Sequence, residues 1–278
     1  MHILKDPFRP YFILSAIIAV FVPMYFVGIL INDYPFNEEV ISSFAWHGHE
    51  MIFGFTSAIL TGFLLTASAK WTGKKTFTSP ELVISIVFWV IARCILIFQP
   101  SSTLLLIFAP LPFVYILLKM IYILKGQNNF LPVVSFLTLL TVSNFLHIYS
   151  SIDSNQDYVD ISYKIAGIAI FSFLYIFSGK LVPFFTNNKF KEQLIVLNSK
   201  ENLVTLFICI GAFVADILMI TGLEKVLALI SALLLARRSW NFFPKQVIKT
   251  PMLLILSVGH LFLPIYFAIR FLILMVVE

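Results

Sequence analysis

Apolar residues in this chain gather in long continuous runs, not in the alternation of a water-facing strand or the single stripe of a surface helix. Nine runs stand out, over residues 11–31, 44–67, 81–98, 103–124, 130–150, 161–182, 203–221, 223–236 and 251–277. Crossing a hydrocarbon core of about 30 Å takes about 20 residues of helix. Continuously apolar runs of that length predict helices, because each backbone N–H and C=O in lipid must be satisfied within its own segment. Short connections leave no room for a soluble domain. The pattern predicts an all-α, polytopic transmembrane bundle of about nine spans, forming a single domain over residues 1–278.

Charge placement orients the bundle. Lys and Arg accumulate in cytoplasmic loops, and a cytoplasmic N-terminus puts Lys5, Arg9, Lys70, Lys74, Lys75, Lys119, Lys125, Lys180, Lys189, Lys191, Lys200, Arg237, Arg238, Lys245 and Lys249 on one side. The opposite loops hold Asp33, Glu38, Glu39, Asp153, Asp157, Asp160 and Glu224, with only Lys164 and Lys225 against them. The run at 223–236 is short, but without it Arg237, Arg238, Lys245 and Lys249 would fall on the acidic side, so it is kept as a span. Composition agrees, at 60% hydrophobic and 12% charged against about 25% charged in soluble domains. The net charge of +5 follows from this topology, and the basic loops show no module for nucleic acid. Cys94 and Cys209 lie in separate runs with no CxxC or CxxCH, which excludes a disulfide framework and covalent haem attachment.

Ionisable residues inside the runs carry the candidate chemistry. Trp46-His47-Gly48-His49-Glu50-Met51 places two imidazoles and a carboxylate near the start of the second run. Each charged group at membrane depth costs roughly 2.5–3.5 kcal/mol on insertion scales, so such a cluster calls for compensating partners, a metal among them. At about 1.5 Å per residue, His47, His49 and Glu50 fall about 5–10 Å below the outer boundary. Arg93, His147, Asp216 and Arg270 fall near the same boundary, close to the exits of their own runs, and His260 lies deeper on the cytoplasmic side. His47 and Glu50 share a helical face at i, i+3, whereas His47 and His49 at i, i+2 point apart. Either Gly48 marks an unwound entry that lets both imidazoles converge, or one is a ligand and the other packs elsewhere. A ligating imidazole usually donates its second nitrogen to a carboxylate or carbonyl, for which Glu50 or Asp216 is placed. Arg93 and Arg270 suit the carboxylates of a haem. The plainer reading is that these groups pair with one another and hold the bundle together.

Several segments together resemble the NnrS family of bacterial membrane proteins. They are Asp6-Pro7-Phe8-Arg9-Pro10-Tyr11-Phe12, Trp46 to Gly54, Gly62-Phe63-Leu64-Leu65-Thr66 with Trp71-Thr72-Gly73, Gly179-Lys180-Leu181-Val182-Pro183-Phe184-Phe185-Thr186, and the stretch around His260 from Pro251 to Pro264. The resemblance implies a multi-pass protein of the bacterial inner membrane that binds haem, with copper as a further metal, and takes part in the response to nitric oxide. It implies His47 and His49 as first metal ligands, His147 and His260 as second choices, and Glu50 as the group behind a ligand. Family members usually have more spans, which implies a member shorter at its C-terminal end, and Lys180 stands where the family has Arg. Catalytic turnover is not implied. Two other classes fit the same residues: a small-anion or metabolite carrier using Arg93 and Arg270, and an assembly subunit whose pocket is completed by a membrane partner.

Overall fold

The computed structural model describes residues 3–276, and every regular element among them is helical. The elements are α1 (Phe8–Leu30), α2 (Ser43–His49), a π-helical segment (Glu50–Thr56), α3 (Ser57–Thr72), α4 (Ser79–Phe98), α5 (Ser102–Phe108), α6 (Leu111–Leu124) and α7 (Phe130–Ile152). After these come α8 (Gln156–Phe190), α9 (Ser199–Ile217), α10 (Thr221–Trp240), α11 (Lys245–Ile248) and α12 (Pro251–Val276). Val277, the last residue of the run expected at 251–277, lies outside the described residues.

Among the described residues, seven helical stretches are long and apolar enough to cross a membrane: Phe8–Leu30, Ser43–Thr72, Ser79–Phe98, Ser102–Leu124, Phe130–Ile152, Gln156–Phe190 and Pro251–Val276. The runs expected at 203–221 and 223–236 also form helices, α9 and α10, but these do not reach that standard. The reason is charge inside the helix: α9 holds Lys200, Glu201 and Asp216, and α10 holds Glu224, Lys225, Arg237 and Arg238. Pro110 separates α5 from α6. Pro23, Pro183 and Pro264 are accommodated inside α1, α8 and α12.

The chain forms two compact units, one ending at Ala166 and the other beginning at Gly167. In the first, α1 packs along α3 and the π-helical segment, and α6 packs against α7 and α4. Close approach of α1 to α3 depends on Gly62, where a Cβ would stand 2.8 Å from Cβ of Tyr11. Much of the other side of α1 is exposed and apolar, including Phe12, Ile13, Ile17, Val20 and Met24, which suits a lipid-facing surface. In the second unit, α10 packs against both α9 and α12, and Phe171, Phe213 and Phe267 meet edge to face or tilted with centroids 5.4–5.7 Å apart.

The loop ahead of α2 is tied down where it enters the helix. Gln99, the left-handed C-cap of α4, accepts from the Ile41 backbone N–H at 3.0 Å, and Ser42 then caps α2 by accepting from the Ala45 N–H at 3.2 Å. In the same loop Glu38 accepts hydrogen bonds from the Ser43 hydroxyl and from its backbone N–H at 3.1 Å. Those bonds hold the Glu38 carboxyl below its ordinary pKa. The start of α2, and with it the Trp46–Met51 segment, is therefore fixed.

Candidate functional site

A buried polar network forms around His49 in the first unit. His49, Asn144 and His147 are fully buried, Glu50 is 1% exposed and Arg93 is 5% exposed. Arg93 Nη1 on α4 donates to Glu50 Oε2 at 3.1 Å, and the other carboxylate oxygen lies 3.5 Å from His49 Nδ1. On the far side of the imidazole, Nε2 sits 2.9 Å from the Asn144 side-chain nitrogen on α7. An amide nitrogen only donates, so this geometry gives neutral His49 its proton on Nδ1, facing the carboxylate. The order is Asn144, His49, Glu50, Arg93, with Trp89 one turn before Arg93 and its ring 5.5 Å from the guanidinium.

His147 is engaged at both nitrogens. Nε2 lies 3.1 Å from the Ala45 carbonyl, which can only accept, and Nδ1 lies 3.2 Å from the Ser162 hydroxyl. Together with the Asn144 contact this ties α7 to α2 at two points. His147 also lies beside His49, with ring centroids 5.3 Å apart, and beside Tyr163 at 4.9 Å.

The π-helical segment explains how so many polar groups face inward from one helix. A π turn adds a residue to the helical repeat and often marks a functional site. Here the Thr56 hydroxyl donates to the Met51 carbonyl, five residues back, at 2.9 Å. His49, Glu50, Phe53, Gly54 and Ser57 are all buried as a result. Two glycines make room for the network. At Gly48 a Cβ would meet the Tyr163 hydroxyl at 2.1 Å, and at Gly54 it would meet Glu50 Oε2 at 2.7 Å and Arg93 Nη1 at 2.8 Å. Gly54→Ala must therefore push the buried ion pair apart, and the expected cost is about 1–3 kcal/mol, the usual range for overpacking. Thermal unfolding of the purified variant in detergent measures it, and wild-type stability would show that the pair can shift freely.

The two expected metal-binding histidines of α2 do not converge. The helix is regular through Gly48, so there is no unwound entry. His47 instead stacks on Phe26 of α1, with centroids 4.2 Å apart and planes 15° from parallel, and its Nδ1 has no hydrogen-bond partner. Among the described residues, no group of three or more His, Cys, Asp or Glu is arranged to hold a metal ion.

The remaining candidates lie in the second unit. Arg270 on α12 donates through Nη2 to Asp216 at 2.6 Å and through Nε to Glu224 at 2.5 Å. His260 has Nδ1 at 2.7 Å from the Ser239 hydroxyl, while Nε2 is buried without a hydrogen-bond partner. Since Ser239 already donates to the Leu235 carbonyl at 2.8 Å, its oxygen accepts from His260 Nδ1–H, and the lone pair of Nε2 stays open.

Asn144, Glu224 and Arg238 did not stand out in the sequence. Asn144 did leave a signal, one helical turn before His147 on the same face of α7. Glu224 reads from sequence as a loop carboxylate, yet the N-terminus of α10 begins early enough to bury it.

A family model described as NnrS protein matches residues 2–277. The chain belongs to the NnrS family. Neither the curated proteins nor the solved structures contain a match. Within this NnrS chain, the segments that carry the family resemblance place specific parts of the geometry. Trp46 to Gly54 supplies His49, Glu50 and both network glycines, and Gly179 of the later segment sits against Arg238, whose Nη2 would be 2.2 Å from a Cβ there.

Proposed function

We propose that this NnrS-family chain is a multi-pass inner-membrane protein that binds haem, with copper as a further metal, and serves the response to nitric oxide. The observation that carries this reading is His49: a fully buried imidazole with a carboxylate behind Nδ1, inside a membrane-spanning helix. That is the arrangement by which proteins orient a ligating histidine and raise its basicity. Glu50 holds the ring, Arg93 keeps Glu50 in place, and Nε2, now facing the Asn144 amide, is the nitrogen that would bind metal. The donor set fits one imidazole ligand. It does not fit a joint site of His47, His49 and His147, since His47 stacks on Phe26 and His147 is engaged at both nitrogens. Bound haem would supply an iron that takes up nitric oxide, while the chain's own residues orient the ligand and exclude water.

We read α9 and α10 as two further spans, giving nine with the N-terminus cytoplasmic and the His49 network in the outer half. The distribution of basic residues supports this. Arg93 and Arg270 are both matched by carboxylates, which weakens their use for haem carboxylates and equally the reading as an anion carrier. Optical spectroscopy with metal analysis tests the proposal, on protein expressed with iron, copper and haem precursor supplied. The expected result is a Soret band that His49→Ala abolishes, with Glu50→Gln weakening haem affinity by about tenfold. Stable protein without iron or copper would overturn the function, and a Soret band unchanged in His49→Ala would overturn the site.

A further inference from the structure

The second unit holds a buried cation without a counter-ion among the described residues. Arg238, close to the end of α10, is 6% exposed. Its Nη2 donates to the Tyr175 carbonyl at 2.9 Å and its guanidinium lies 3.7 Å from the centre of the Tyr175 ring. Its Nε and Nη1 are buried with no hydrogen-bond partner, and it makes no ion pair among the described residues. Charged donors buried in this way cost far more than a surface arginine unless something accepts from them. Favourable interaction with the C-terminal end of α10 accounts for cations at this position, but not for two unmet donors.

Arg238 lines a cavity of about 550 Å³ whose other polar walls include Asn198, Lys200, Glu201, Asn202 and Arg237. Three cations face it against the single carboxylate of Glu201, which lies 3.7 Å from Arg237. The N-terminus of α9 opens onto the same space: Asn198 caps it by accepting from the Lys200 N–H at 3.0 Å, and the first backbone N–H groups of a helix favour anions. A lone carboxylate would leave this much positive charge unmatched, whereas a phosphate offers more oxygens and more charge.

We propose that this cavity binds a phosphate group, held by Arg238 at its base and by Lys200 and Arg237 at its rim. The headgroup of an acidic phospholipid and a soluble phosphate share that chemistry. This site is independent of His49 and of any haem bound there. The test is a thermal-shift titration of the purified chain in detergent, in separate arms with inorganic phosphate, short-chain phosphatidylglycerol and short-chain phosphatidylcholine. The rim variant Lys200→Gln/Arg237→Gln changes exposed side chains and should fold, and Arg238→Lys keeps the charge but loses the planar donor array. Stabilisation by phosphate identifies a soluble source, and stabilisation by phosphatidylglycerol alone identifies a lipid source. In either case the rim variant should bind about tenfold more weakly, as loss of charge-assisted contacts predicts. No stabilisation by phosphate or phosphatidylglycerol, equal stabilisation by phosphatidylcholine, or unchanged affinity in both variants would overturn the proposal.

Discussion

Replacing Arg93 by Leu should destabilise the purified chain by about 3–5 kcal/mol, the cost of stranding one member of a buried ion pair. The stranded member is Glu50, 1% exposed, with Oε2 losing its donor and Oε1 already without a hydrogen bond. Glu50→Gln should also be costly, since it leaves the Arg93 guanidinium, 5% exposed, without its counter-charge, although the amide oxygen can still accept from it. The double variant Arg93→Leu/Glu50→Gln should recover much of the loss, because the charge that made the single change expensive is gone. Unfolding of the four proteins in detergent closes the cycle and isolates the coupling. Strictly additive losses would mean that the two side chains do not act as a pair.

The second large effect is expected at Arg270. This guanidinium bridges Asp216 and Glu224, so Arg270→Leu leaves two carboxylates facing one another, with Glu224 only 3% exposed. The expected loss is about 3 kcal/mol, at the lower end for buried pairs because Arg270 is partly exposed and solvent screens part of the interaction. Thermal unfolding of the purified variant in detergent measures the loss, and wild-type stability would show that the two carboxylates do not depend on Arg270.

Much of the helical layout can be read from hydropathy, because an apolar run in lipid has few alternatives to a helix. That covers α1, α4, α7 and α12 closely. It covers α9 and α10 as helices but leaves their membrane crossing to charge distribution, since both carry several ionisable side chains. The candidate site was legible in part. Adjacent residues such as His49 and Glu50 declare themselves, and Arg93 stands out as a cation in an apolar run. Their pairing does not, because it joins α4 to the Trp46–Met51 segment across the bundle. The π-helical segment was hidden for a different reason: only Gly54 in Glu50–Thr56 departs from helix-forming composition, a lone glycine is common in membrane helices, and the assumption of a uniform 3.6-residue repeat conceals the extra residue. Arg238 was hidden by its sign, since a basic residue near a cytoplasmic loop is what topology already predicts.

The π-helical segment also sets how the long helix from Ser43 to Thr72 tolerates change in length. Its surplus residue works like a slipped thread on a screw, letting the part before it and the part after it each keep their inward faces toward the bundle. Removing a single residue there would restore the ordinary repeat and leave Trp46 through Glu50 at nearly the same angle to α3, whereas removing one from the regular helix after it would swing them by about 100°. Composition and hydropathy would barely distinguish the two losses, yet only the second would turn His49 away from Asn144. A one-residue difference in length is thus compatible with a shared site when it falls within this segment, and not when it falls in the regular helix between the segment and Thr72.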